Sequence, residues 1–241
     1  MAPKKWELLI TCEHAGNRIP AGLKALFQGR DSLIQSHRGY DIGAIKMAAV
    51  FSAKLDAPLF FSKTSRLVCD LNRSLGNPTL FSSVTQPLSQ EVKHRILEQH
   101  YFPHRRRVES HIETCFQKKA CLLHLAVHSF TPVLAGKVRR TDIGLLYDPK
   151  RNLEALFCRA WQKQIRLNQH GLSIHLNAPY RGISDGFATY LRKKYPASRY
   201  IGIELEVNNR LLDPPLKTDP EITSLLLETF SNIFREDPWC G

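Results

Sequence analysis

The sequence predicts an α/β fold, one domain over residues 1–241 built on a largely parallel sheet, and three observations lead there. Leu122–Phe130 is a continuous apolar run ending in His128-Ser129-Phe130-Thr131-Pro132, the pattern of a strand buried on both faces at the centre of such a sheet. Shorter apolar runs elsewhere alternate with segments of helical period. A chain of 241 residues with 43% hydrophobic content can bury one sizeable core and lies within the range of single-domain α/β proteins.

Ligands of open α/β sheets sit at the carboxyl ends of the strands, which marks His128 and Ser129 as candidate site residues. His124, four residues earlier, faces the same side but deeper, as a packed and hydrogen-bonded core group.

Trp6–Cys12 reads as the first strand and Glu13-His14-Ala15-Gly16-Asn17-Arg18-Ile19-Pro20 as the turn that follows. Small residues at 15 and 16 let the backbone approach a ligand closely. His14 can offer an imidazole nitrogen to a divalent metal, and Glu13 or Asn17 an oxygen. A short helix is expected over 21–27 and a longer one from Ala44 to about Leu55. Asp41 precedes the longer helix, where its carboxylate can either cap free backbone donors or ligate a metal.

Pro58–Phe61 is the second strand, and Leu67-Val68-Cys69 a short apolar piece leading to Asp70-Leu71-Asn72-Arg73. Residues 89–119 have helical period through Val92, Ile96, Tyr101 or Phe102, Val108, Ile112 and Cys115, with Pro103 separating or kinking two helices. His94, His100 and His104 are placed on the solvent side, and His111 inward without a metal spacing. A strand over 142–148, a helix over 152–170, a glycine-containing mobile loop over 177–186 and a further helix follow. Tyr200–Asn209 alternates apolar and polar residues, so Glu204 and Glu206 share one face of a strand. Two carboxylates there need solvent, metal or a basic group, and an edge strand with a wet face is the simplest alternative. The last helix runs from about Pro220 to Phe234, with Asp219 as its cap.

Thirty-four Lys and Arg against 22 Asp and Glu give a net charge of +12, which favours anionic ligands in general. His104-Arg105-Arg106-Arg107 is the strongest basic cluster and Lys137, Arg139 and Arg140 form a second. Neither lies in an RNA-binding motif or a Cys/His finger, so both read as solvated basic faces and nucleic acid is not an expected partner. Six cysteines form no CxxC pair, and Cys12, Cys69 and Cys121 sit in or beside apolar segments, which points to reduced thiols and a cytoplasmic setting. No membrane-spanning run or signal peptide is expected. No G-x-S-x-G elbow accompanies Ser129, which argues against a serine hydrolase.

Four blocks taken together resemble the N-formylglutamate amidohydrolase family: residues 13–20, residues 37–43 (His-Arg-Gly-Tyr-Asp-Ile-Gly), residues 65–73 (Ser-Arg-Leu-Val-Cys-Asp-Leu-Asn-Arg) and the His128 box. The resemblance implies a three-layer α/β/α fold with a central mixed, mainly parallel sheet, similar to zinc-dependent carboxypeptidases and other zinc exopeptidases. It implies metal-assisted hydrolysis of an amide, with zinc held by His14, His128 and one oxygen ligand. Zinc carboxypeptidases carry glutamate three residues after the first histidine; that position here is Asn17, so Asp41 or Glu13 must supply the charge, and Asp41 is preferred. The resemblance casts Glu204 as the general base, with Glu206 as an orienting group or the base itself. Asn72 and Arg73 resemble the Asn-Arg pair that holds a terminal carboxylate, and Arg139 or Arg140 would bind a second carboxylate or polarise the reacting carbonyl. The expected partner is a small carboxylate-bearing substrate; the sequence does not specify an oligomeric state.

Overall fold

The structure is a computed structural model that describes residues 5–212 and 220–235; Asp219 and Cys240 lie outside the described residues. In chain order the elements are β1 (Trp6–Cys12), a 3-10 helix (Ala21–Phe27), α1 (Asp31–Gln35), α2 (Ala44–Leu55), β2 (Leu59–Phe61), α3 (Gln90–Ile96), a π turn (Leu97–Tyr101) and α4 (Phe102–Gln117). There follow β3 (Cys121–Phe130), a two-strand hairpin of β4 (Val133–Leu134) and β5 (Lys137–Val138), β6 (Ile143–Leu146), α5 (Asn152–Asn168) and β7 (Ile174–Leu176). α6 (Phe187–Lys194), β8 (Tyr200–Asn208), a 3-10 turn (Asn209–Leu211) and α7 (Pro220–Arg235) complete the described chain.

Six strands form one sheet in the order β2-β1-β3-β8-β6-β7. The first four are mutually parallel, while β6 runs antiparallel to β8 and parallel to β7, so the sheet is mixed and mainly parallel. Alternate residues of β1, β3 and β8 divide between two layers. Leu8, Ile10, Leu123, Leu125, Val127, Ile203, Leu205 and Val207 pack with Met47 and Phe51 of α2, Phe157 and Trp161 of α5 and Phe230 of α7. On the other face Leu9, Leu122 and Tyr200 pack with Val108 and Ile112 of α4 and Phe187 and Leu191 of α6. The three-layer α/β/α arrangement implied by the sequence is thus present. β8 is no edge strand: it lies between β3 and β6 and is buried along its whole length.

The basic cluster at 104–107 is not a solvated face. His104 and Arg105 are buried, whereas Arg106 and Arg107 are exposed. The burial pattern steps by five residues from Ile96 to Tyr101, where the π turn inserts one more residue than an α-helical turn holds. That step rotates the start of α4 so that His104 faces the sheet. Arg105 stacks on the rings of Tyr101, Phe187 and Tyr190 at 4.4, 4.5 and 4.9 Å and donates to the carbonyls of Leu71 and Arg73. Leu67–Cys69 forms buried turns, and the five described cysteines, Cys12, Cys69, Cys115, Cys121 and Cys158, are buried. No helix among the described residues is long and apolar enough to cross a membrane.

Candidate active site

Because β1, β3 and β8 are parallel neighbours, their carboxyl ends open on one edge of the sheet. Ala126 stands opposite Glu204 and His128 opposite Glu206, so His128 and both glutamates project from one face. His14 enters from the turn after β1, and its carbonyl accepts from the Asp41 amide at 3.0 Å, fixing the loop that carries Asp41. The Gly39 carbonyl accepts from the Arg66 amide and the Ser65 hydroxyl, which binds the same loop to residues 65–70.

Asp41 does not cap α2 through its side chain. Gly43, at φ 82°, occupies the cap position in a left-handed conformation and no side-chain cap bond forms. The Asp41 carboxylate instead lies between two imidazoles: Oδ2 is 2.8 Å from His128 Nδ1 and 3.3 Å from His14 Nδ1. Each ring is backed by a second buried carboxylate, His14 Nε2 by Asp70 Oδ1 at 2.7 Å and His128 Nε2 by Glu13 Oε2 at 3.2 Å. Arg66 closes the cluster with contacts to Asp41 at 3.3 Å and Asp70 at 2.7 Å. Ligand atoms of His14, Asp41 and His128 lie within 4.8 Å of one another, a geometry that can hold a metal ion.

Electrostatics follow from this packing. Burial and Arg66 pull the His14 pKa down, but Asp70 and Asp41 outweigh them and it is raised. Burial likewise opposes the charge on His128, and Asp41 and Glu13 lift its pKa well above the ordinary value. Glu13 is held well below the usual carboxylate range, despite burial, by His104 and His128. Burial raises Glu204 in spite of Arg192, and pushes Glu206 up to about 7. His124, hydrogen bonded to Thr11 and Tyr200, is lowered by burial to about 4 and is a neutral core group.

A cavity of about 230 Å³ opens onto this cluster, lined among others by Asn72, Arg73, Glu204 and Glu206. Arg73 is half-buried; its Nη1 donates to the Asp185 carbonyl at 2.5 Å, and among the described residues no carboxylate comes within ion-pair distance of it. Asn72 Oδ1 accepts from the Phe187 amide. Arg139 and Arg140 separate: Arg139 stacks on Phe130 and on Tyr180, a cavity-wall residue, whereas Arg140 is exposed and lies outside the lining. The expected alternatives for the oxygen ligand also separate. Asn17 turns away to donate to Gln35, and Glu13 lies behind His128, at the ring nitrogen opposite the one that faces Asp41. Ser129 donates to the Ile42 carbonyl at 2.7 Å rather than pairing with a histidine.

Sequence reading misses Arg66 and Asp70 as members of the cluster and His104 behind Glu13, whereas Tyr180, Arg181 and Asp185 in the wall belong to the glycine-containing loop, of a kind that often folds over substrate. Arg66 and Asp70 had a local signal in their i,i+4 spacing. The 177–186 loop is pinned at several points rather than free. Asn177 Oδ1 accepts from the Tyr147 and Gly182 amides, Arg192 donates to the Gly182 carbonyl, and Asp185 accepts from Ser74 and Asn77. A Cβ at Gly182 would collide with the Tyr147 backbone, so only glycine lets the loop sit this close.

A gene product of Agrobacterium tumefaciens of known crystal structure superposes with a TM-score of 0.82 at 26% identity, over 98% of this chain and 92% of that one. The N-formylglutamate amidohydrolase of Ralstonia eutropha JMP134 superposes with a TM-score of 0.66 at 17% identity, over 98% of each chain, a likeness of fold. No curated protein matches the chain at a significant level. Residues 6–212 match the profile of the N-formylglutamate amidohydrolase family, and the chain belongs to that family of amidohydrolases.

Proposed function

We propose that the protein hydrolyses the amide C–N bond of an N-acylated acidic amino acid, N-formylglutamate or a close relative, with a zinc ion held by His14, Asp41 and His128. The observation that carries this reading is the convergence of two imidazoles on one Asp41 oxygen, beside two buried glutamates at the wall of a cavity that Arg66, Arg73 and Arg181 also line. Two histidines and a carboxylate leaving one side open to a cavity are the donor set of a catalytic zinc, and carboxylates behind both rings orient them. When bound, the ion supplies a Lewis acid that polarises the scissile carbonyl and makes water nucleophilic near neutral pH.

Glu206 takes a proton from the attacking water and returns it to the leaving nitrogen. It is preferred to Glu204 because it stands directly opposite His128 and its Oε2 is buried without a hydrogen-bond partner among the described residues, whereas Glu204 faces Arg192 at 3.9 Å. Water oxygen ends on the acyl carbon, the C–N bond breaks, and the proton completes the amine; from N-formylglutamate the products are formate and glutamate. Arg73 grips a substrate carboxylate with two parallel bonds, and Arg181 offers a second cation in the same cavity. Arg139 stacks on Tyr180 of the cavity wall, and Arg140 is exposed and outside the lining.

The test is metal content of protein purified without added metal, together with formate release from N-formylglutamate before and after chelation. One zinc per chain and chelator-sensitive release are expected. Zinc without release moves the search to other N-acylated acidic amino acids, and release that survives complete metal removal refutes the mechanism.

A further inference from the structure

A second group of metal-ligating side chains lies away from the cavity, and the reaction does not use it. Glu7 is the second residue of β1, before that strand gains β2 as a neighbour at Ile10. Its side chain points to the α4 face of the sheet, as Leu9 does two residues later. His111 and Cys115 are one turn apart on α4 and so share the face turned toward β1. His111 is about 10 Å along the helix from His104, which marks the active-site end.

We propose that Glu7, His111 and Cys115 form a second metal site, taking a zinc-class divalent ion that straps α4 to β1. Ligand atoms of the three residues lie within 4.8 Å of one another. Cys115 Sγ is 3.6 Å from His111 Nε2 and 3.0 Å from Glu7 Oε2. Tetrahedral zinc, with bonds of about 2.3 Å to sulfur and about 2.0–2.1 Å to nitrogen and oxygen, sets these edges at about 3.6 Å. The sulfur–nitrogen edge already has that length, and the Glu7 oxygen needs to move outward by about half an ångström.

The donor set names the class of ion. Thiolate, imidazole and carboxylate together suit zinc and its transition-metal neighbours and are wrong for magnesium or calcium, which take oxygen ligands. Phe60 packs against the His111 ring at 5.7 Å and holds it in place. Glu7 and His111 are half-buried, leaving an entry path and a fourth position for water, while Cys115 is 1% exposed. Loading expels the thiol proton that now bonds to Glu7.

Cobalt(II) is the probe, because a thiolate ligand gives it a near-ultraviolet charge-transfer band that histidine and carboxylate ligands do not. Titration of the reduced full chain should develop this band with one equivalent bound at the site, and two equivalents of zinc, enough to fill this site and the active site, should bleach it. The band should persist in a His14→Ala/His128→Ala double variant, which separates this site from the active site, and in Cys240→Ser. It should vanish in Cys115→Ser and need at least about tenfold more cobalt in His111→Ala and Glu7→Gln. Circular dichroism confirms that each variant is folded; His111 and Glu7, being half-buried, keep the test valid if Cys115→Ser fails to fold. No band at excess cobalt, a band that survives Cys115→Ser, or one that His111→Ala and Glu7→Gln leave unchanged overturns the proposal.

Discussion

Glu206→Gln should stabilise the metal-free protein, and do so only above a definite pH. Burial beside Asp41 and Glu204 lifts the Glu206 carboxyl to about 7 from an ordinary value of 4.5, against the pull of His128. Below pH 4.5 folded and unfolded chains both carry the proton and the group contributes nothing. Between 4.5 and 7 the folded state keeps a proton that the unfolded chain has released, so stability falls as pH rises, and above 7 the cost is complete. A rise from 4.5 to about 7 corresponds to about 3 kcal/mol. Gln cannot ionise, so the variant should match its parent within about 1 kcal/mol near pH 4.5 and exceed it by up to about 3 kcal/mol at pH 8. Urea unfolding in the presence of chelator, at intervals from pH 4.5 to 8.5, measures the difference directly. His14 and His128 have raised pKa values, so the stability they add is full below 6.5 and is lost as pH climbs through their folded values. To first approximation that loss is common to both proteins and cancels. A gap that stays constant across the range would refute the placement of Glu206 as a buried, poorly solvated carboxyl.

Three further outcomes are expected. Zinc uptake should release protons and tighten as pH rises, since His14 and His128 must both become neutral; calorimetry in buffers of different ionisation enthalpy checks this, and buffer-independent heat would remove the histidines from the ligand set. Arg73→Lys should raise KM for N-acylated acidic substrates about tenfold with little change in kcat, because lysine cannot form the bidentate pair; an unchanged KM would release Arg73 from substrate binding. Glu206→Gln should keep its zinc and lose kcat by at least about 100-fold, with Glu204→Gln affected about tenfold or less; the reverse order would return the base to Glu204.

Sequence reading recovered what repeats locally and lost what depends on contact between distant segments. β1, β3 and α2 were legible because apolar runs and helical spacing state their burial directly. The direction of β6 was not, since antiparallel and parallel strands of four buried residues have the same composition. Alternation in β8 suggested water on one face, yet that face is buried and its glutamates line the cavity instead of meeting bulk solvent. Asp41 read equally well as a cap or a ligand because the choice lies in a side-chain torsion that only the fold determines. Glu13 and Asp70 gave no sign of supporting the two histidines, because the contacts span 115 and 56 residues of chain.

The π turn at Leu97–Tyr101 amounts to one surplus residue that the helix has absorbed, and its consequence is a matter of phase. Deleting Gln99 would remove that surplus residue and turn every later side chain by about 100° around the axis. His104 would swing off Glu13, Arg105 would leave the rings and the Arg73 carbonyl it holds, and His111 with Cys115 would lose Glu7, though no residue touching substrate had changed. A relative lacking that single residue would need a different set of side chains behind its histidines to keep the same cavity.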